Sequence, residues 1–466
     1  MKKLLIIYFP AFLLVIIIFY VFVTRNGTNN SKENKAAEVY VRKTLNGFDL
    51  IRNNEPFYIK GAGGNSHLKE LREIGGNTIR LYDTLNINQL LDEAYQNKLA
   101  VIVDIFIPRF QTDYNPYSIS ENNDTLKQNV INFVKKHKTH PAILFWNLGN
   151  EIDYPTLLKK SKRIPTITDL TNIFKVIKER KSFIKTFNEL IEMIKSEDPN
   201  HPVGSCVSTD NFWKRVLSLH LNSPKLDIIG FNIFAPPLKF RNHINKLSHF
   251  IKIKPYYISE WGMEGPWAQE KTSWEAPIET TSTNKGNQYE YNYKLFESLF
   301  SESVGTVVFH WGQKQERTHT WFNIFDEQGR KNQIYYELRN IWKNRSDTLD
   351  FPPQIKYMVL DKKGARDNLV FLPNEIVEAE VLFNNEIDSS LNYNWEIFEE
   401  EWYYEGGGKK HLLPEKINGC FINIKNSVAK VKIPSVEGPY RIFVNVYDSF
   451  GNLSTANTPF YVLDRK

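Results

Sequence analysis

Eight short runs rich in apolar and β-branched residues, at 57–61, 77–82, 99–107, 142–148, 202–207, 226–233, 255–259 and 304–311, constrain this chain most. Between them lie stretches with apolar residues three or four apart. Examples are Phe183, Phe187, Leu190, Ile191 and Ile194, or Tyr289, Tyr293, Phe296, Leu299 and Phe300, and this spacing is the helical period. Buried strands alternating with helices make a parallel sheet, and eight of them close into a (β/α)8 barrel. A doubly wound open sheet would use the same units, but no glycine-rich phosphate loop follows any run. The predicted fold class is therefore α/β, a TIM barrel spanning 38–348.

The flanks read differently. A hairpin is expected before the barrel, 39–42 with 48–51, turned at Asn46-Gly47. After Pro352-Pro353 the apolar period falls to two, in runs at 376–383, 391–398, 429–433, 440–447 and 459–462. That pattern predicts a small all-β, immunoglobulin-like sandwich over 352–466. At the other end, Lys2 and Lys3 precede 20 uncharged, mostly apolar residues from Leu4 to Val23. This length spans a bilayer, and no small-residue cleavage site follows. Residues 1–25 are thus expected to be an uncleaved transmembrane signal anchor and 26–37 a polar tether. Lysines at the start place the rest of a single-pass chain on the extracytoplasmic side of the cell membrane, periplasmic or at the cell surface.

Composition excludes several classes. The net charge of +6 is small for 466 residues and its Lys and Arg are interspersed with acids, so no nucleic-acid partner is expected. Cys206 and Cys420 fall in different predicted domains, which leaves no disulfide framework and no thiolate metal site. His67, His140, His201, His310 and His319 have no metal-ligand spacing. No cofactor and no metal are expected, and nothing in the sequence sets an oligomeric state.

In a barrel of this kind chemistry belongs at the C-terminal ends of the strands. Two runs end in glutamate: the fourth reads into Asn150-Glu151 and the seventh into Glu260-Trp261-Gly262. Cleaving a glycosidic bond with retention takes two carboxyl groups, one protonating the leaving oxygen and one attacking the anomeric carbon, held about 5–5.5 Å apart. A proton donor needs a raised pKa, whereas the nucleophile has to be ionised.

The sequence resembles the retaining β-glycoside hydrolases of clan A, and within them the barrel domain of glycoside hydrolase family 2. The matching stretches are Asn54-Glu-Pro-Phe-Tyr-Ile-Lys-Gly61, Asn77-Thr-Ile-Arg80-Leu-Tyr82, His140 through Glu151, Asp227-Ile-Ile-Gly-Phe-Asn232, Ile258-Ser-Glu-Trp-Gly262 and Phe309-His-Trp311-Gly-Gln313-Lys-Gln315. The resemblance implies Glu151 as acid/base, Glu260 as nucleophile, and Asn150 bonding the sugar 2-hydroxyl. Arg80 is the expected cation beside Glu260, with a structural ion pair as the alternative. Trp311 is expected as the platform under the sugar, with a barrel-core ring as the alternative. Asn232, Trp267, Trp274, Gln313 and Gln315 are candidates for substrate contacts. Two departures stand out: no sandwich domain fits ahead of the barrel, and strand six ends Asn232-Ile233-Phe234 where relatives have a tyrosine. The hydroxyl that would orient the nucleophile is then missing, or comes from another loop such as Tyr114 or Tyr117. A lysine- and arginine-rich loop over 153–181 should border the cleft.

The expected function is a retaining glycoside hydrolase acting on a β-linked poly- or oligosaccharide, with β-glucan as the specific expectation. Two alternatives stand beside it: a transglycosylase using the same glutamates, and a non-catalytic glycan-binding envelope protein.

Overall fold

The computed structural model describes residues 36–464 apart from 46, 109–116, 118, 153–166, 211, 386–389 and 402–411. A short antiparallel hairpin opens it, β1 (Val39–Lys43) with β2 (Phe48–Arg52), and β3 (Glu55–Pro56) adds a third strand. Eight parallel strands follow: β4 (Ile59–Gly63), β5 (Thr78–Leu81), β6 (Ala100–Ile105), β7 (Ile143–Asn150), β8 (Val203–Ser208), β9 (Ile228–Ile233), β10 (Tyr256–Trp261) and β11 (Gly305–Phe309). They close into a barrel in sequence order, with β11 paired to β4. Helices α1 (Leu68–Glu73), α2 (Ile87–Gln96), α3 (Ser120–His137), α4 (Ile167–Glu197), α5 (Phe212–Asn222), α6 (Pro237–Ser248), α7 (Ser282–Leu299) and α8 (Gln333–Lys343) alternate with the strands. Each of the eight runs read from the sequence holds one barrel strand.

Alternation along these strands sorts the side chains into two layers. In β6, Val101, Val103 and Ile105 join the outer core beneath the helices, while Ala100 and Ile102 point into the barrel. The next inward position is Asp104. In β9, Ile229, Phe231 and Ile233 face out and Ile228 faces in, which sends Asn232 inward at the upper end. Inward positions are therefore apolar at the N-terminal end and polar at the C-terminal end, a consequence of the two-residue period of a strand. The hairpin seals the lower end: Ala37, Val39 and Leu50 pack with Ile59, Phe145, Cys206, Tyr257 and Val307.

Beyond the barrel lie two four-stranded sheets formed by β12 (Ile355–Leu360), β13 (Val370–Phe371), β14 (Ile376–Phe383), β15 (Asn392–Glu399), β16 (Phe421–Lys425), β17 (Val428–Lys432), β18 (Gly438–Tyr447) and β19 (Leu453–Val462). Their orders are β12-β14-β17-β16 and β13-β19-β18-β15, with a common core that includes Leu360, Val381, Ile397, Val431, Ile442 and Phe460. The fold is thus a TIM barrel followed by a β-sandwich. The sequence reading missed three strands: β12, the two-residue β13, and the edge strand β16, whose Ile422 and Ile424 are exposed and break the expected alternation.

A buried polar cluster joins the two units. Glu279 receives hydrogen bonds from Lys285, from Thr318 at 2.7 Å and from Asn457 of β19 at 2.7 Å. Arg441 of β18 bonds both oxygens of Glu400, at 2.7 and 3.0 Å, and the Pro277 carbonyl at 2.7 Å. Buried charges survive only when paired and hydrogen-bonded, and here the pairing crosses the junction. Among the described residues no helix is long and apolar enough to cross a membrane. The expected anchor at 1–25 lies outside them.

Candidate active site

The inward polar positions converge at the barrel mouth. Arg80, wholly buried on β5, donates through Nε and Nη2 to the two oxygens of Asp104 at 3.0 and 2.7 Å. Its Nη1 donates to Glu260 Oε1 at 3.1 Å and to the Ser259 carbonyl at 2.9 Å, and Nη2 also reaches Asn150 Oδ1 at 2.9 Å. A planar guanidinium can serve several partners in fixed directions, which an ammonium cannot. Asn147 Nδ2 adds a 2.8 Å bond to Asp104, so the carboxylate is fixed from two strands.

Glu151 enters from the other side. Asn232 Nδ2 donates to Glu151 Oε1 at 3.1 Å and to Asn150 Oδ1 at 3.2 Å, while Ser259 Oγ donates to Asn232 Oδ1 at 2.7 Å. A continuous path of bonds therefore runs from Glu151 through Asn232, Asn150 and Arg80 to Glu260. Because Asn150 Oδ1 accepts two of these bonds, its amide NH2 is the part left to meet a ligand. The backbone turns sharply here: β7 loses register with β8 between Asn147 and Asn150, and Glu151 takes a left-handed φ of 52°. Such a conformation is uncommon for a non-glycine residue and clusters at functional sites.

Electrostatics separate this arrangement from the simplest expectation. Burial pushes the Glu260 carboxyl up to about 8; Arg80 opposes that shift, while the charges of Glu151 and Asp104 reinforce it. The sequence reading assigned Glu260 the ionised role, yet only 5% of this residue is exposed and burial disfavours its anion. Burial likewise lowers His310 to about 3, with Lys314 adding to the effect, so its imidazole is neutral.

Both glutamates line a cleft of about 1810 Å³ at the C-terminal ends of the strands. Asn150, Asn232, Trp267, Gln313 and Gln315 line it too, and Arg80 lies just beneath. Other expected residues lie elsewhere. Trp311 does not line the cleft: β11 ends at Phe309, the Trp311 amide bonds back to Gly63, and the indole is fully buried. Its Nε1 donates to the His67 carbonyl at 3.0 Å and its ring packs against Phe325 and Tyr335, so it is a core ring beneath α8. Phe309 and His310 take its place at the surface of the cleft. Trp274 packs on Tyr461 of the sandwich. Tyr117 is buried and donates to the Pro108 carbonyl, away from Glu260. Tyr114 and residues 153–166 of the basic loop lie outside the described residues.

Sequence reasoning missed Asp104, Asn147 and Tyr82. Tyr82 lines the cleft with the Arg80 guanidinium 4.7 Å from its ring centre, and its buried hydroxyl has no hydrogen-bond partner among the described residues. Burial holds that hydroxyl's pKa well above the usual tyrosine value, and the charge of Glu260 adds to the effect. The two-residue step Thr78, Arg80 along β5, continued to Tyr82 just past its end, was the available signal. Among the described residues no group of three His, Cys, Asp or Glu side chains is placed to hold a metal ion.

No family model matches the chain, and no curated protein matches it. Solved structures do. A Bacteroides uniformis β-glucuronidase 2, covalently bound to cyclophellitol-6-carboxylate aziridine, is 15% identical over 91% of this chain and 48% of its own, with a TM-score of 0.48. A family 2 β-galacturonidase from Eisenbergiella tayi is 15% identical over 66% of this chain and 54% of its own, TM-score 0.48. An endo-β-1,4-mannanase from Thermotoga petrophila is 14% identical over 89% and 99%, TM-score 0.42. This chain spans about half the length of the glucuronidase.

Proposed function

We propose that the protein is a retaining glycoside hydrolase acting on a β-linked glycan. The observation that supports this most directly is the pair of carboxyl groups, Glu151 and Glu260, at two barrel-strand ends in one cleft and tied together through Asn232, Asn150 and Arg80. In this reading Glu260 attacks the anomeric carbon while Glu151 gives its proton to the departing oxygen. Glu151 then takes a proton from the water that hydrolyses the glycosyl-enzyme. Arg80 holds Oε1 of Glu260 and leaves Oε2 for attack. Asn150 presents its NH2 to the sugar 2-hydroxyl.

Burial raises the Glu260 carboxyl, and the charges of Glu151 and Asp104 add to that, so Glu260 has to be ionised for the attack. The reactive form carries the proton on Glu151. Positive charge developing on the sugar ring favours the Glu260 anion during attack, which offsets the cost of ionising it in a buried setting.

We place the domain limits at 38–348 for the barrel and 352–466 for an immunoglobulin-like sandwich. The apolar segment at 1–25 is proposed to anchor the chain, with the catalytic barrel on the extracytoplasmic side. Covalent trapping tests the central assignment: a 2-deoxy-2-fluoro β-glycoside with a good leaving group should add one glycosyl mass to the peptide containing Glu260. Label on another residue, or none with any of the gluco, manno, galacto and xylo reagents, counts against it.

A further inference from the structure

The glycosidase reading says which bond breaks but not what kind of chain fits, and the cleft itself bears on that. Its volume of about 1810 Å³ is close to twice the upper end of the roughly 300–1,000 Å³ that holds a drug-sized ligand. A site for one terminal sugar would need far less.

Three exposed aromatic side chains line the cleft from separate segments: Phe106 after β6, 76% exposed; Trp213 in the first turn of α5, 42%; and Trp267 after β10, 51%. Single exposed aromatics are ordinary on a protein surface, but these three surround one pair of carboxyl groups. In the closed order β10-β11-β4-β5-β6, strands β6 and β10 are four steps apart in a ring of eight, so Phe106 and Trp267 stand on opposite walls. Strand β7 with Glu151, and β8, which leads into Trp213, lie between them. Trp267 is held in place: its ring meets Phe234 edge-on at 5.9 Å, and any side chain on Gly265 would come within 2.3 Å of the indole. Trp213 meets Phe212 edge-on at 5.4 Å. Flat rings with few torsions lose little entropy on binding and offer a face to the C–H side of a pyranose.

Charge narrows the choice. Among the described lining residues Arg215 pairs with Asp210 and Lys314 with Glu316, and Arg80 beneath them holds Asp104 and Glu260; Asp83, Glu151 and Glu264 then stand against Lys214 and Lys239, which gives no surplus of positive charge. A polyanion would find no net positive field there to draw it in. From these observations, and resting on the glycosidase reading above, we infer that the cleft is a groove for an uncharged β-linked polysaccharide. The chain would span from Phe106 to Trp267 across the scissile bond and be cut internally.

The test uses the full chain on barley β-glucan, glucomannan, xylan and, as the acidic β-linked polymer, hyaluronan, followed by size-exclusion chromatography. The 4-nitrophenyl β-glycosides of glucose, mannose, galactose and xylose are assayed in parallel. The expected result is a rapid fall in mean chain length of one neutral polymer, with early products of several sizes and hyaluronan intact. Phe106→Ala and Trp267→Ala should each lower kcat/KM on that polymer by at least about tenfold, and by more than on an aryl glycoside. Release of monosaccharide alone, preferred cleavage of hyaluronan, or equal losses on polymer and aryl glycoside would overturn the inference. So would turnover of an aryl glycoside with no polymer shortened, which removes this inference alone. Turnover of neither substrate type removes the glycosidase reading beneath it as well.

Discussion

Five hydrogen bonds hold Arg80, and no other residue type could make them. Arg80→Lys keeps the charge but loses the fork that grips Asp104, leaving a buried carboxylate short of partners. It should cost on the order of 3–5 kcal/mol in urea unfolding and lower kcat by about 100-fold or more. An unchanged stability would mean that Asp104 finds other donors. The Glu260 carboxyl, raised to about 8, carries two further predictions. The folded state holds its proton where the unfolded chain has released it, so this group's contribution to stability falls as pH rises from about 4.5 to 8. Glu260→Gln removes that loss: it should melt above wild type by a margin that widens from pH 5 to pH 8, reaching roughly 2–5 °C. Glu151 helps raise Glu260, so Glu151→Gln should move the acid limb of kcat/KM to lower pH. An aryl glycoside whose leaving group needs no proton is the substrate for that measurement. Asn150 and Glu151 were legible because a strand ending in Asn-Glu stands out. Tyr82 and Asp104 were not, because a polar residue in a buried strand reads as an interruption until alternation places it inward.

At the scale of elements, the barrel strands were legible since each is buried on both faces and reads as an apolar run. The ends of those runs were less so. The run 304–311 looked continuous, yet only Gly305–Phe309 stays in the sheet, and the two-residue difference turns Trp311 from a platform into a core ring. Period alone cannot show where a strand leaves its neighbour. The sandwich showed β14, β15, β17, β18 and β19 by alternation, whereas β16 is an edge strand whose Ile422 and Ile424 stand in solvent. The link between sandwich and barrel was invisible, because Asn457 is 178 residues from Glu279 and all three of Glu279, Lys285 and Asn457 look like ordinary surface residues. Asn457→Ala should leave Glu279 Oε2 with one donor fewer, destabilising the protein by about 1–3 kcal/mol. Urea unfolding at neutral pH checks it, and a value near zero would mean the cluster is already satisfied by Lys285, Thr318 and Thr320.

The whole molecule follows from one asymmetry. Apolar inward residues and the hairpin close the lower end of the barrel, so the upper end alone can hold polar groups and a cleft. The sandwich ties down the segments around 279 and 318–320, near the loops that carry Trp267 and Gln313 into that cleft. The central claim is that Glu260 and Glu151 act by double displacement. It is tested most directly by proton NMR of the first sugar released from the substrate that the polymer panel identifies, with Glu260→Ala beside wild type. The β-anomer should appear first, before mutarotation, and its signal should be lost in the variant. An α-anomer first, or undiminished release by the Glu260 variant, would contradict it.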